Sequence, residues 1–334
     1  SSDVCSSDLF GNFSFFPVTY LCAQILILYD MKSLKGIIYA MISSGTFGLI
    51  PLFTIPLMGN MEMNESNILF YRFLFSTLMM GAVCLLHKST LKINMKHLIS
   101  IIGLGALYAL TALFLIYSYH YITSGVATTI HFLYPICVSF LMVVFFKEQK
   151  SKSLFLAASL SLIGVALMCW SGGGSIRLMG IGLAALTILT YGIYIVALNQ
   201  LDIGKLPAEV LTFYVLLGGC VIFFIYSLFT AGISSIPSTK AGFYILALAF
   251  LSTVISDLTL ILAVKYAGST TTAILGSMEP LVAVVVGVLV FSEHFTLQSL
   301  IGLLLILMSV IIVILADQQK KSKRITEQKI IKPH

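Results

Sequence analysis

Long apolar runs separated by short polar breaks fill the chain from residue 31 to residue 316. Ten runs approach the roughly 20 residues that an α-helix needs to cross a bilayer. They cover residues 36–58, 68–86, 98–119, 123–146, 154–170, 178–198, 210–229, 242–264, 270–291 and 297–316. Hydrocarbon admits only helices or closed barrels, and continuous apolar runs favour helices. The pattern therefore predicts an all-α integral membrane protein with ten transmembrane helices.

Composition strengthens this interpretation. Of the 334 residues, 59% are hydrophobic and only 10% are charged, whereas about a quarter of a soluble domain is charged. A water-soluble enzyme is thereby excluded. The formal net charge is +6, but the basic residues lie between apolar runs rather than on one exposed face, so no nucleic-acid partner is expected.

Motifs for chemistry or cofactors are absent from the sequence. It contains no HExxH, Walker loop, nucleophile elbow or CxxC pair, so we expect no enzymatic activity, no cofactor and no metal. Four of the six cysteines fall inside apolar runs and are interpreted as packing residues: Cys84, Cys137, Cys169 and Cys220.

Lysine and arginine set the predicted orientation, because they concentrate in cytoplasmic loops. With Lys32 and Lys35 inside, 16 of the 19 basic residues fall on the inner side. The exceptions are Arg72, Arg177 and Lys240. This predicts a multi-pass protein of the inner (plasma) membrane with both termini in the cytoplasm.

Both ends of the chain stand apart from the ten-run scheme. Residues 1–30 contain a further apolar run, which we interpret as translated upstream sequence, with an extra helix or a signal-like segment as the alternative. Residues 317–334 form a basic tail, expected to lie in the cytoplasm against anionic membrane lipid.

An internal repeat divides the ten runs into two sets of five. An offset of 145 residues aligns Tyr121 with Tyr266, Ser124 with Ser269, Pro135 with Pro280, Phe146 with Phe291 and Glu148 with Glu293, and an offset of 144 aligns Gly48 with Gly192. We attribute the drift to loop length. Because five is odd, the two copies, residues 31–172 and 173–316, would enter the membrane from opposite faces. Such inverted repeats are typical of secondary transporters.

Segments 134–148 and 279–293, each running from a proline to a glutamate, carry a family resemblance. These segments resemble the corresponding helix of the ten-helix, EamA-type group of the drug/metabolite transporter superfamily. The resemblance continues in the helices that follow them, at Leu162-Ile163-Gly164-Val165 and at residues 300–310. Ser309 departs from the small glycine pattern that is usual there. The resemblance spans about residues 31–316 and implies a transporter of small metabolites, commonly amino acids, and export as its direction.

Glu279 is the first candidate for binding a substrate or a proton, because a charge near the bilayer midplane is costly and usually functional. In a continuous helix it would share a small, polar face with Thr272 and Gly276, and with Ala283 and Gly287. The alternative is a structural acid with satisfied hydrogen bonds.

Asp257 and His131 are the other ionisable candidates. Asp257 belongs to a polar patch with i,i+4 pairs Ser252/Ser256 and Thr253/Asp257, which could bind a substrate amine or a proton. In the alternative interpretation, the hydroxyls bond to their own helix backbone and Asp257 reaches the cytoplasmic interface. His131 would lie with Thr128 and Pro135 on one face and close to Tyr134, and the alternative is a structural histidine.

The remaining candidates are weaker. Arg72 is predicted to lie shallowly, as an interfacial side chain or a partner of the outer-loop acids, with substrate binding as the alternative. Hydroxyl and aromatic residues on the first, third and sixth helices would suit an amphipathic pocket: Thr46, Tyr108, Thr111, Thr190, Tyr191 and Tyr194. Pro135, Pro280, Gly48 and Gly192 are expected to bend or pack the first, fourth, sixth and ninth helices.

These observations favour a secondary transporter working by alternating access, with proton coupling through Glu279 or facilitated diffusion, since no ATP-binding motif is present. Its partners would be a small-molecule substrate and membrane lipid, and a homo-oligomer is left open. Two other classes remain: a membrane enzyme or lipid-handling protein using Glu279 and His131 as acid and base, and a structural assembly subunit, which would have no cavity.

Overall fold

The computed structural model describes residues 31–122, 124–147, 152–169, 178–201, 206–290, 297–298, 300–302, 304–309, 311–312 and 315–316. Segments 1–30 and 317–334, Arg177 and Glu148 lie outside the described residues. Within the described part, every regular element is helical. The helices α1–α13 cover Met31–Phe47, Ile50–Met58, Glu65–Leu86, Met95–Ser118, Ser124–His131, Tyr134–Phe146, Lys152–Cys169, Leu178–Gln200, Ala208–Phe229, Thr239–Ala249, Ser256–Ala267, Ser269–Leu275 and Met278–Val290. Leu300–Ser309 is a further helical stretch.

Six apolar stretches of the described chain are long enough to cross a membrane: Leu34–Met58, Glu65–Leu86, Met95–Ser118, Leu178–Gln200, Ala208–Phe229 and Thr239–Ala267. They coincide with six of the ten predicted runs. The chain is therefore a multi-pass membrane protein. Shorter apolar helices account for parts of the other runs, at Tyr134–Phe146, Phe155–Gly164 and Leu300–Ser309.

Three predicted helices are interrupted near their middle. The breaks fall at residues 48–49, 132–133 and 276–277, between α1 and α2, α5 and α6, and α12 and α13. Each following helix has a proline as its second or third residue, at Pro51, Pro135 and Pro280. Proline lacks an N–H and suits the first turn of a helix, so these prolines begin new helices instead of bending old ones.

The eighth predicted run contains an irregularity of another kind. A π-helical turn, Phe250–Ile255, lies between α10 and α11. Such turns hold more residues per turn than an α-helix and often mark functional sites. The i,i+4 pairs Ser252/Ser256 and Thr253/Asp257 therefore do not have α-helical geometry, because the helix is wider at this point.

The core joins the two halves of the chain. The most extensive helix contacts pair α1 with α11, α3 with α9, and α4 with α8. Aromatic side chains fill the centre, where the rings of Phe73 and Phe223 lie 4.9 Å apart. Gly219 makes room for Phe73, since a Cβ there would stand 2.4 Å from its ring. The largest fully buried side chains therefore lie between the halves rather than within one of them.

Candidate functional site

A central cavity lies between the two halves of the chain. Its empty volume, including the open mouth, is about 610 Å³. Polar lining comes from Thr54, Arg72, Thr111, His131 and Glu279, and aromatic lining from Phe47, Tyr108, Tyr119 and Tyr191. The rest is mainly aliphatic. Such a wall suits an amphipathic small molecule.

The cavity extends toward one end of the helix bundle. It runs from His131, Tyr191 and Glu279, near the middles of their predicted runs, to Ile68 and Tyr119 at the ends of α3 and α4. This end carries the acidic connection with Glu62 and the ion pair of Glu65 with His120, whose Oε1 and Nε2 atoms are 2.8 Å apart.

Side-chain hydrogen bonds link the helices at the opposite end of the described bundle, near the lysine-bearing connections. The Ser89 hydroxyl donates to Glu209 Oε1 at 2.7 Å, and the Asn199 amide donates to the Ser269 hydroxyl at 3.2 Å. Lys265 Nζ donates to the Leu206 carbonyl. Within the described residues, the cavity mouth and these contacts therefore lie toward opposite ends of the bundle.

Glu279 lies in the first turn of α13, directly after the break in the ninth run, and its half-buried side chain lines the cavity. Gly48 makes this placement possible, because a Cβ there would stand 2.5 Å from the Glu279 carbonyl oxygen and 2.8 Å from Val282 Cβ. The expectation that Glu279 points into the bundle agrees with this geometry.

The face predicted to surround Glu279 is not continuous, since α12 ends at Leu275. Thr272 is buried, lies outside the cavity lining, and its Oγ1 has no hydrogen-bond partner among the described residues. Gly276 lies at the break, where a Cβ would stand 1.8 Å from the Tyr134 hydroxyl. These two residues therefore pack the broken helices together rather than extend the cavity wall.

Arg72 is a cavity residue, although the sequence predicts an interfacial position for it. It is only 5% exposed and lines the cavity, so the expectation of an interfacial side chain is wrong. Its Nε donates to Thr253 Oγ1 at 2.7 Å, and its Nη2 donates to the Ser252 carbonyl at 3.2 Å and to the Tyr108 hydroxyl at 3.5 Å. The outer-loop acid Glu65 pairs instead with His120. The guanidinium thus binds the π-helical turn.

Carbonyls in and around the π-helical turn receive hydrogen bonds from other helices. Ser76 Oγ donates to the Ala249 carbonyl at 3.0 Å, and Ser43 Oγ donates to the Ser256 carbonyl at 2.8 Å. Hydrocarbon supplies no water for such groups, so side chains must satisfy them. Together with Arg72, these contacts hold the turn against α1 and α3.

Asp257 lies behind the cavity wall rather than in it. Asp257 is fully buried, and neither of its carboxylate oxygens has a hydrogen bond of standard geometry within the described residues. Arg72, Tyr108 and Tyr194 are close enough to interact with it electrostatically. The alternative in which Asp257 reaches the cytoplasmic interface is therefore wrong. The Thr253 and Ser256 hydroxyls do donate to backbone carbonyls, those of Leu248 and Thr253, whereas Ser252 Oγ has no partner among the described residues.

His131 is buried at the end of α5 and also lines the cavity. Its Nδ1 lies 2.8 Å from Thr187 Oγ1. Its ring centroid lies 5.3 Å from those of Tyr134 and Tyr191. The break that follows α5 separates His131 from Pro135, so the single helical face expected for them is wrong. His131 and Glu279 nevertheless reach the same cavity.

Tyr134 is buried in the first turn of α6, where its hydroxyl lies against Gly276. Tyr134 does not line the cavity; its ring instead meets Tyr191 edge-on at 4.8 Å. Among the weaker candidates, Thr111 and Tyr191 line the cavity, and Thr111 Oγ1 lies 2.7 Å from Thr190 Oγ1.

Gly192 packs but does not bend its helix. It lies inside the uninterrupted helix α8, so the sixth run has no break at this position. A Cβ there would stand 2.9 Å from Cys137 Sγ. The glycine is required for the close approach of α6 to α8. Gly48, by contrast, lies at a real break as well as at a close contact.

The described residues bring together no group of three or more histidine, cysteine, aspartate or glutamate side chains that would hold a metal ion. Cys84, Cys137 and Cys220 are free thiols, and Cys169 has no described side chain. The polar chemistry of the cavity therefore rests on a guanidinium, a carboxyl group, an imidazole and hydroxyls.

This combination of a multi-pass helical bundle with a central amphipathic cavity defines a membrane transporter. The sequence matches the model of the EamA-like transporter family twice, over residues 34–170 and 178–315. The chain therefore belongs to the EamA-like transporter family, within the drug/metabolite transporter superfamily.

A solved structure described as "Crystal structure of protein" has the same fold. The two share 16% sequence identity and superpose with a TM-score of 0.73, over 87% of this chain and 98% of that one. No curated protein matches the sequence. The likeness therefore supports the fold, and the cavity must supply the argument for function.

Proposed function

We propose that the chain is a secondary transporter that exports small amphipathic metabolites, such as amino acids, by alternating access. The observation that carries this proposal is the central cavity, whose wall combines Arg72 and His131 from the first half with Glu279 from the second. A site shared between halves changes its access when the halves move relative to each other.

The proposed topology has ten membrane helices in two inverted five-helix repeats, comprising residues 31–172 and 173–316. The repeated family match and the pairing of first-half with second-half helices support it. The basic residues favour the inner (plasma) membrane with both termini in the cytoplasm. In this orientation the cavity faces outward, and the contacts of Ser89, Asn199 and Lys265 close the cytoplasmic side.

The cavity wall suits molecules that carry both polar and apolar groups. Arg72 offers an anion-binding guanidinium, Glu279 offers a carboxylate, and Tyr108 and Tyr191 offer aromatic surface. An amino acid or a similar metabolite would satisfy both charges and bury its apolar part. Proton coupling through Glu279 would supply the energy, because a carboxyl group inside the membrane can exchange a proton between the two sides.

The experiment that tests this proposal uses sealed liposomes containing the full chain. A pH-sensitive dye reports internal pH while a panel of amino acids and other small metabolites is added under an imposed pH gradient. A substrate-dependent pH change supports proton-coupled transport. Labelled-substrate counterflow in the same liposomes, without a gradient, detects uncoupled movement, and failure of both measurements for the whole panel contradicts the proposed function.

A further inference from the structure

Two contacts of the Thr187 hydroxyl fix which nitrogen of His131 carries a hydrogen. Thr187 Oγ1 lies 2.5 Å from the Ala184 carbonyl oxygen and 2.8 Å from His131 Nδ1. Two oxygen atoms this close share a hydrogen, and only the hydroxyl can supply it, so the single Thr187 hydroxyl proton is donated to Ala184. Thr187 therefore accepts the hydrogen bond from His131, and Nδ1 carries the hydrogen.

The surroundings of His131 favour a neutral ring. His131 is buried, and no carboxylate lies within ion-pair distance of it among the described residues. A buried charge without a partner is costly. In a neutral imidazole one nitrogen is a donor and the other is an acceptor, so Nε2 carries a lone pair and no hydrogen.

Nε2 is the polar atom that His131 leaves for the cavity. Within the described part of the chain, His131 makes its hydrogen bond through Nδ1, and Nε2 is not one of the enclosed polar atoms that lack a partner. His131 lines the cavity beside the ring of Tyr191, which follows Thr187 by one turn of α8. The cavity wall therefore contains an acceptor that only a hydrogen-bond donor can satisfy.

Arg72 makes the opposite demand on an occupant. A guanidinium has donors and no acceptor. Its Nε and Nη2 already donate to Thr253, Ser252 and Tyr108, and Nη1 makes no hydrogen bond among the described residues. An occupant would therefore present an acceptor to Arg72 and a donor to His131.

We propose that His131 is a specificity-determining residue that binds a hydrogen-bond donor of the occupant at Nε2, and that Thr187 is the positioning residue that holds this tautomer. This inference rests on the proposed function, since the occupant would be the transported molecule. It assigns the occupant an N–H or O–H hydrogen at this point, as the ammonium group of an amino acid provides. Molecules of the same charge without such a hydrogen are selected against.

The first measurement determines the tautomer and needs no ligand. Solid-state NMR of the full chain in liposomes, with isotope-labelled histidine, distinguishes a protonated ring nitrogen from an unprotonated one. The spectrum of His131→Leu identifies which signals belong to His131. We expect a hydrogen on Nδ1 and none on Nε2, and a hydrogen on Nε2 overturns the proposal.

Variants on α8 test whether Thr187 is the cause. Thr187→Val removes the acceptor of the Nδ1 hydrogen, so the hydrogen should move to Nε2, where the cavity can hydrate it. Thr187→Ser keeps the hydroxyl and should keep the tautomer. Thr190→Val is the matched control, because the Thr190 hydroxyl meets Thr111 instead. An unchanged tautomer in folded Thr187→Val, or a changed one in Thr190→Val, overturns the proposal.

The second measurement compares two probes that differ in their donor hydrogens. L-phenylalanine is the probe, and its N,N,N-trimethyl derivative keeps the charge but has no N–H. In equilibrium binding to the purified full chain, the derivative should bind about tenfold more weakly. L-phenylalanine should also shift the Nε2 signal of His131 more than the Nδ1 signal. Absence of L-phenylalanine binding, equal binding of the two probes, or an unmoved Nε2 signal overturns the proposal.

The methyl groups also add bulk, and His131→Leu separates this effect from the loss of donors. Without the acceptor, L-phenylalanine should bind about tenfold more weakly and lose its advantage over the derivative. An undiminished preference would reflect bulk alone and overturns the proposal. Size-exclusion profiles identify variants that fail to fold. If His131→Leu fails, Thr187→Val replaces it with the same expectation, and Thr187→Ser must retain the preference.

Failure of the proposed function is distinguishable. The tautomer and the binding of the probes are measured without transport, so the expected results without counterflow in liposomes contradict the transport role and leave the His131 subsite standing. Counterflow together with a hydrogen on Nε2 contradicts the subsite alone.

Discussion

Two glycine contacts occupy corresponding positions in the repeated halves, and they differ in chemistry. Gly48 meets the Glu279 carbonyl and Val282 on α13, and Gly192 meets Cys137 on α6 and approaches the Tyr134 carbonyl at 3.9 Å. The 145-residue offset maps Glu279 onto Tyr134 and Val282 onto Cys137. The same pair of helix contacts thus occurs twice, each joining one half to the other.

The side chains at the two helix breaks have diverged. The first half places His131 and Tyr134 there, and the second places Gly276 and Glu279. The Glu279 side chain lines the cavity, whereas the Tyr134 hydroxyl lies against Gly276. Gly276 is the residue of the second half that corresponds to His131. The comparison shows that backbone packing is kept on both sides while the ionisable chemistry is divided unequally between them.

Replacing the two corresponding residues tests this division most strongly. Glu279→Gln should leave the protein folded and abolish movement driven by a pH gradient, because the amide cannot exchange a proton. Tyr134→Phe should retain that movement, because its hydroxyl is not in the cavity. Internal pH in liposomes measures both, and unchanged proton-linked transport in Glu279→Gln would contradict the coupling role.

Filling the space between the broken helices should give the largest loss of stability. Gly276→Ala places a Cβ 1.8 Å from the Tyr134 hydroxyl and 2.8 Å from the Ala273 carbonyl, so we expect a loss of about 3 kcal/mol. Thermal unfolding in detergent measures it. Adding Tyr134→Phe removes the hydroxyl and should recover part of the loss; strict additivity of the two changes would show that these residues do not meet.

Alanine at each paired glycine compares the two contacts directly. Gly48→Ala meets a backbone carbonyl at 2.5 Å and should cost about 2 kcal/mol, whereas Gly192→Ala meets the Cys137 side chain at 2.9 Å and should cost about 1 kcal/mol. Thermal unfolding again ranks the variants.

Gly182→Ala is the matched control, because nothing lies within 4 Å of its Cβ position. There alanine should stabilise α8 by up to about 1 kcal/mol through helix propensity. Equal losses in Gly48→Ala and Gly192→Ala would remove the distinction between a backbone and a side-chain contact.

The smallest expected effect concerns the closed end. Asn199→Ala removes the hydrogen bond to Ser269 and should cost about 1 kcal/mol or less, shifting the population toward the opposite access state. Labelling of Tyr119→Cys by an impermeant maleimide, in a cysteine-free background, should decrease as the outer mouth closes.

Asn67→Ala is the control at the open end. Its amide donates to the Gly232 carbonyl at 3.0 Å, away from the closed side. This substitution should not decrease the labelling. An equal decrease in both variants would show general destabilisation rather than a shift between access states.

Much of the fold could be predicted from periodicity and charge, as the six long membrane helices and the family show. Local irregularities could not. Pro135 and Pro280 predict a bend in their helices, but only the structure shows that each helix breaks and that a new one starts at Tyr134 and Met278. The π-helical turn contains neither glycine nor proline and has no signal of that kind.

The site was predictable where depth in the bilayer is decisive. Glu279 lies in the middle of its apolar run, where a charged side chain is costly in hydrocarbon, and this made it a candidate from the sequence alone. Arg72 lies near the end of its apolar run, and this position alone predicts a side chain at the membrane–water interface. The cavity extends from the midplane to that end, so a shallow residue becomes part of the wall. The Ser252 carbonyl that binds Arg72 is backbone and carries no sequence signal.

The π-helical turn lies inside the segment over which the repeat offset changes. Between the Phe-Tyr pair of each half and the later tyrosine, the second half, from Tyr214 to Tyr266, is longer than the first, from Tyr71 to Tyr121. Such a turn holds more residues per turn than an α-helix, so a helix as well as a loop can take up extra residues. A single-residue deletion within Phe250–Ile255 would therefore restore a regular α-helix, and it would remove or displace the turn residues that Arg72 binds. An alignment that moves this gap into a loop would pair the wrong residues of the two halves.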